Sequence, residues 1–120
     1  IEVKGLVANA IRFSPDGKLL AVVGENGFAR LYDTAAGTEA AELKGPKGLV
    51  FCVAFSPDGK VVAAGGDDNA VHVWEAKTGH LLAILSGHKD SVRAVRFGPD
   101  ANTLVTGSDD KTLRVWELKK

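Results

Sequence analysis

Phe55-Ser56-Pro57-Asp58-Gly59 repeats Phe13-Ser14-Pro15-Asp16-Gly17 residue for residue, and Phe97-Gly98-Pro99-Asp100-Ala101 echoes both. The three stretches stand 42 residues apart. The same interval separates Tyr32, Trp74 and Trp116, each followed by an acid: Asp33, Glu75 and Glu117. A period held through three copies decides the architecture. Each copy is one supersecondary unit that must bury its faces against its neighbours.

Inside each copy the pattern is that of β-strands. Leu19–Val23, Val61–Ala64 and Thr103–Thr106 are short apolar runs bounded by turn residues. Ala70–Trp74 and Thr112–Trp116 place alternate residues on opposite faces. No long segment has a helical period, and Gly and Pro punctuate the chain throughout. Ser-Pro-Asp-Gly is a tight turn, Pro pre-setting one φ and Gly accepting a positive one. Second turns fall at Glu25-Asn26-Gly27, Asp67-Asp68-Asn69 and Asp109-Asp110-Lys111, and third turns at Ala36-Gly37 and Thr78-Gly79. Four strands and three turns per copy make an up-and-down antiparallel sheet.

Composition excludes several classes. The chain has 120 residues, with 15 basic and 15 acidic side chains, so it is no broadly basic nucleic-acid binder and no acidic tail. Lys44, Lys47, Lys89, Arg93 and Arg96 are scattered among acids with no aromatic stacking platform. No apolar run is long enough to span a membrane as a helix. Ile1–Ala10 lacks the basic start and apolar core of a secretory signal. The single cysteine, Cys52, cannot form an internal disulfide. It aligns with Ala10 and Ala94 and is read as a packed thiol suited to a reducing, cytoplasmic compartment. His72, His80 and His88 share no short spacing, so no metal is expected. No Ser-His-Asp arrangement, nucleotide loop or cofactor motif is present, and no catalytic residue is assigned.

The period, the Gly87-His88 pair, the Ser-Pro-Asp-Gly turns and the Trp-Glu strand ends together resemble the WD-repeat β-propeller family over essentially the whole chain. That resemblance implies an all-β fold of three four-stranded WD-type blades of 42 residues. It places an outer strand at 1–5 and blades at 6–45, 46–87 and 88–120. It also implies a hydrogen-bond relay pinning each blade: His, Ser/Thr, Asp and Trp. The third copy supplies His88, Thr106, Asp110 and Trp116. The second keeps Asp68 and Trp74, but has Pro46 and Ala64 at the other two positions. The first has Asn26 and Tyr32, with Val22 on its second strand and no histidine.

Ile1-Glu2-Val3-Lys4-Gly5 resembles the outermost strands Ala41–Gly45 and Ala83–Gly87, whereas the third copy ends after its third strand. In this family such a strand commonly completes the last blade. The expectation is therefore a latch in which Ile1, Glu2, Val3 and Lys4 of one molecule pair with the strand carrying Leu113, Val115 and Glu117 of another. The ring would then close by oligomerisation. Two chains give six blades at about 60° each and three give nine at about 40°, against about 51° for seven. The arithmetic narrowly favours the homodimer over the homotrimer. A fragment of a longer propeller, or completion by a different protein, fits the same strand count.

The family points to a non-catalytic scaffold for peptides or proteins. Its binding loops would include Glu25, Asp67, Asp109, Lys47 and Lys89. The three acids hold one equivalent position per blade, either as an acidic ring for a basic peptide or as ordinary turn acids. The alternative is an engineered or excised three-blade unit whose only activity is assembly. An enzyme is the remotest reading, for want of any site signature.

Overall fold

The computed structural model describes residues 7–118. Eleven strands run β1 Ala8–Phe13, β2 Leu19–Gly24, β3 Ala29–Asp33, β4 Thr38–Glu42, β5 Val50–Phe55, β6 Val61–Gly66, β7 Val71–Glu75, β8 Leu81–Leu85, β9 Val92–Phe97, β10 Thr103–Ser108 and β11 Leu113–Glu117. They form antiparallel sheets ordered β1-β2-β3-β4, β5-β6-β7-β8 and β11-β10-β9. Among the described residues the third sheet thus has three strands. Strands β1, β5 and β9 lie side by side and form the inner edge of an arc of blades.

The chemistry of the repeated turn explains its conservation of form within the chain. Ser14 Oγ donates to Asp16 Oδ1 at 2.7 Å and accepts from the Leu19 amide at 3.0 Å, while the Lys18 amide donates to Asp16 Oδ1 at 2.9 Å. Ser56, Asp58, Lys60 and Val61 repeat these bonds at 2.6, 3.0 and 3.1 Å. The Lys18 amide and the Ser14 hydroxyl hold the Asp16 carboxyl below its ordinary range. The third turn has Gly98 instead of serine, and only the Asn102 amide bond to Asp100 persists.

The second strands run one or two residues further than the apolar runs predict, into Gly24, Gly66 and Ser108. These positions are equivalent, and the reason is close backbone approach. A Cβ at Gly24 would lie 2.2 Å from the Val7 carbonyl oxygen, and one at Gly66 would lie 2.0 Å from that of Leu49. Ser108 instead turns its hydroxyl to the Asp90 carbonyl at 3.0 Å.

Two apolar layers hold the arc together. Between the first and second blades, Ala21, Val23, Leu31 and Leu43 meet Val53, Val62 and Trp74. Between the second and third, Ala63, Val71 and Val73 meet Val92, Val95 and Leu104. The middle blade is therefore covered on both faces. The flanking blades each keep one open face: Ile11 and Phe13 are 51% and 63% exposed on the first, Leu113 and Val115 77% and 70% exposed on the third. Of the expected latch, Ile1, Glu2, Val3 and Lys4 lie outside the described residues. Strand β11, with Leu113, Val115 and Glu117, pairs with β10 along one edge.

Candidate functional site

The third blade brings His88, Thr106, Asp110 and Trp116 into one chain of hydrogen bonds. Trp116 Nε1 donates to Thr106 Oγ1 at 2.9 Å. Thr106 Oγ1 lies 2.7 Å from His88 Nε2, and His88 Nδ1 lies 2.9 Å from Asp110 Oδ2. Thr106 is wholly buried. Its hydroxyl already accepts from the indole, so its own hydrogen is satisfied by pointing at Nε2. The ring hydrogen then sits on Nδ1 and points at the carboxylate. The Asp110 carboxyl is held well below the usual range, first by the Thr112 hydroxyl and then by the Lys89 amide and the His88 ring. Every polar atom of this buried chain has a partner, which is the condition for such a network to stabilise.

The second blade reaches the same end differently. With alanine at position 64, Trp74 Nε1 donates to the Lys44 carbonyl at 2.9 Å. Asp68 still accepts from the amides of Ala70 and Lys47, at 3.1 and 3.3 Å, as Asp110 does from Thr112 and Lys89 at 2.9 Å each. Its carboxylate braces the loop without a histidine. In the first blade Tyr32 is buried and Asn26 sits in the turn at a φ of 58°. No hydrogen bond joins these two, so position 26 serves turn geometry there.

Sequence reading missed a clamp. His72 is buried and stacks on Trp74, with ring centroids 5.7 Å apart. A Cβ at Gly45 would lie 2.7 Å from the His72 ring. At the equivalent places in the third blade, Arg114 Nη2 donates to the Gly87 carbonyl at 2.9 Å, and the guanidinium lies 5.9 Å from the Trp116 ring centre. The glycine before the second and the third blade, Gly45 and Gly87, is thus the seat for the residue two before that blade's tryptophan. Burial pushes the His72 pKa down, against the nearby Asp68 charge.

The second feature missed is a bulge in every inner strand. Register shifts fall across Ala8/Ala10, Val50/Cys52 and Gly107/Ser108, placing Asn9, Phe51 and Arg93 at equivalent bulged positions. A bulge re-aims its side chain, and here it aims at the neighbouring blade. Asn9 Nδ2 donates to the Val50 carbonyl at 3.2 Å, and the Arg93 guanidinium lies 4.1 Å from the Phe51 ring centre. The three residue types differ, so no motif advertises the position.

The equivalent acids all have partners within the chain. Glu25 Oε1 accepts from the Val7 amide at 3.1 Å and Asp67 Oδ1 from the Leu49 amide at 3.0 Å, while Asp109 Oδ2 takes Arg93 Nε at 3.0 Å. These are the bonds of turn acids, tying each second turn to the start of its own inner strand. Lys47 and Lys89 stand beside them, contributing backbone amides to the carboxylates of Asp68 and Asp110. Cys52 is buried, its Sγ 3.5 Å from the Gly65 carbonyl oxygen, and burial pushes its thiol up to about 11. It packs rather than reacts. On the side of the Ser-Pro-Asp-Gly turns, a groove of about 960 Å³ has an apolar floor of Val61, Val73, Ala83, Leu85 and Leu118 between lysines 60 and 77. Among the described residues no group of three or more His, Cys, Asp or Glu is placed to hold a metal ion.

A family model described as "WD domain, G-beta repeat" matches residues 4–33, 37–75 and 79–117. Among solved structures, the chain is similar to a computationally designed protein, Ika4, with 28% identity and a TM-score of 0.84, covering 93% of this chain and 66% of that one. It is also similar to the WD40 repeats of RRP9, with 24% identity and a TM-score of 0.89, covering 97% of this chain and 37% of that one. The second likeness bears on fold alone. The chain therefore spans about two thirds of the designed protein and little over a third of the other. No curated protein matches the chain in sequence.

Proposed function

The chain belongs to the WD domain, G-beta repeat family, and from that premise we propose that it is a non-catalytic scaffold whose blades form a ring with a second copy and present loops to protein or peptide partners. Proteins of this family serve generally as interaction scaffolds. The observation that carries the ring is the pair of open apolar faces. Leu113 and Val115 are the equivalents of Val71 and Val73, which are buried against the third blade. Ile11 and Phe13 are the equivalents of Val53 and Phe55, which pack against the first. The open face at one end of the arc thus repeats the face that receives a blade, and the other repeats the face that is received. Leaving both in water exposes patches that soluble chains avoid.

Docking the third blade of one copy on the first blade of the next is head-to-tail, and such contacts close into rings when the rotation permits. Six blades from two copies lie in the usual range, with nine from three copies just beyond it. Ile1–Lys4 pairing beside β11 would give the same seam its backbone hydrogen bonds. A reducing, cytoplasmic setting goes with the free Cys52 thiol. Light scattering on the folded chain tests the ring: a mass of twice the 12.6 kDa chain supports six blades, and a stable folded monomer removes the proposal. A ring that assembles and retains nothing from a peptide library would leave assembly as its whole activity.

A further inference from the structure

Asn26-Gly27 is the one place where glycine follows an asparagine; Asn9, Asn69 and Asn102 precede Ala10, Ala70 and Thr103. Asn26 and Gly27 both take a positive φ, 58° and 71°, as the central pair of a type I′ turn closed by the Phe28 amide on the Glu25 carbonyl at 3.1 Å. The other blades turn differently. There the left-handed residue is Asn69 or Lys111, and the residue before it, Asp68 or Asp110, spends its carboxylate on backbone amides. The Asn26 side chain is exposed and, among the described residues, makes no hydrogen bond. Asp16-Gly17 and Asp58-Gly59 are locked by contrast, since each carboxylate takes a serine hydroxyl and a lysine amide. Those bonds keep Asp16 ionised, and a carboxylate is a poor target for a nucleophile.

We propose that Asn26 is a deamidation site of the folded chain. The Gly27 nitrogen, with no side chain beside it to hinder attack, gives its proton to solvent base and bonds to the side-chain carbonyl carbon of Asn26. The amide carbon–nitrogen bond breaks, ammonia leaves with a proton from solvent, and a cyclic imide closes. Water then opens the imide at either carbonyl, giving aspartate or isoaspartate. Because the Gly27 amide donates to the Gly48 carbonyl at 2.6 Å, the step waits for that contact to open, and its rate reports local opening between the first-blade turn and the second-blade loop. Aspartate gives the first blade the acidic pair that the others have in Asp67-Asp68 and Asp109-Asp110. Isoaspartate lengthens the backbone where there is no room, since a Cβ on Gly27 would lie 2.3 Å from the Pro46 carbonyl oxygen. Ring closure does not cover the site: in the middle blade, with neighbours on both sides, the equivalent Asp68 and Asn69 stay partly exposed.

The whole chain, held folded at mildly alkaline pH and body temperature and then digested with trypsin, tests this, because Asn26 is the only asparagine in the peptide Leu19–Arg30. Expected is the amide-to-acid mass shift in that peptide before any in the peptides carrying Asn9, Asn69 or Asn102. A new acidic band should appear on isoelectric focusing, as the chain passes from 15 acids against 15 bases to one acid in excess. Asn26→Gln, whose longer side chain would have to close a larger ring, should lose that band. Asn26→Asp should run with it from the outset. The aged chain should unfold at a lower temperature than Asn26→Asp, since it alone contains the lengthened backbone. Conversion of another asparagine ahead of Asn26, or an acidic band that grows as fast in Asn26→Gln, would overturn the proposal. So would a folded chain that keeps the Asn26 amide through an incubation in which its urea-unfolded form loses it.

Discussion

Thr106 is the residue on which the third blade's polar chain turns, because a single hydroxyl oxygen serves both Trp116 and His88. Thr106→Val keeps the shape and removes both bonds, stranding an indole N–H and an imidazole nitrogen in the interior. A loss of about 1–3 kcal/mol is expected in urea unfolding. Ala64→Thr, the reverse change in the second blade, should bring no gain, since Trp74 already has the Lys44 carbonyl and position 46 is proline. His72 offers a pH test. Its folded pKa lies below the ordinary histidine value because burial disfavours the charged ring. Below about pH 6.5 the unfolded chain takes up a proton that the folded chain resists, so stability falls as pH drops through that range. His72→Phe should flatten the fall between pH 7.5 and 5.5 in thermal unfolding. An unchanged slope would mean that the drop originates elsewhere. Position 72 also marks where the sequence was opaque. His88 was legible because the glycine before it and the 42-residue frame define its place. His72 and Arg114 share the equivalent seat, yet one stacks and the other donates, and no residue-type pattern unites them.

At the scale of strands and turns, the frame was read from spacing because turn chemistry is written in specific residues. Ser14 and Asp16 make the same bonds as Ser56 and Asp58, so their letters recur. The inner-strand bulges carry no such letters: asparagine, phenylalanine and arginine each satisfy an extra residue that points at a neighbour. The strand ends at Gly24 and Gly66 were missed for a related reason, since the demand for glycine comes from the carbonyls of Val7 and Leu49, just ahead of the paired inner strands. Turn geometry yields a matched test. Lys111 adopts a φ of 70° and Gly17 one of 74°, both in the left-handed region that costs an L-residue about 1 kcal/mol. A Cβ at Gly17 would meet nothing within 4 Å. Gly17→Ala should therefore lose about that amount through backbone strain alone, and Lys111→Gly should gain a similar amount, both read as shifts in unfolding midpoint. Equal and opposite shifts support strain as the cause; no loss at Gly17→Ala and no gain at Lys111→Gly would assign turn stability to the carboxylate bonds.

For the whole molecule, the two open faces differ in kind, and that difference can be made to report the mode of assembly. A head-to-tail seam uses the Val115 face of one copy and the Ile11 face of the next. An isologous dimer uses the same face twice. Ile11→Glu spoils one face and Val115→Glu the other, each placing a carboxylate where the packed equivalents, Val53 and Val73, are 1% and 2% exposed. In the head-to-tail ring each variant alone has lost half of every seam and should run as a monomer, because an unpaired buried charge is strongly unfavourable. Mixed together, the two should recover a single intact seam, between the sound Val115 face of the first and the sound Ile11 face of the second. The product is an open pair of about twice the chain mass that cannot close. An isologous dimer through the first blade behaves otherwise: Val115→Glu stays dimeric and mixing restores nothing to Ile11→Glu. Sedimentation of the two variants and of their mixture therefore distinguishes a ring built by continuing the repeat from a pair that merely hides one sticky face.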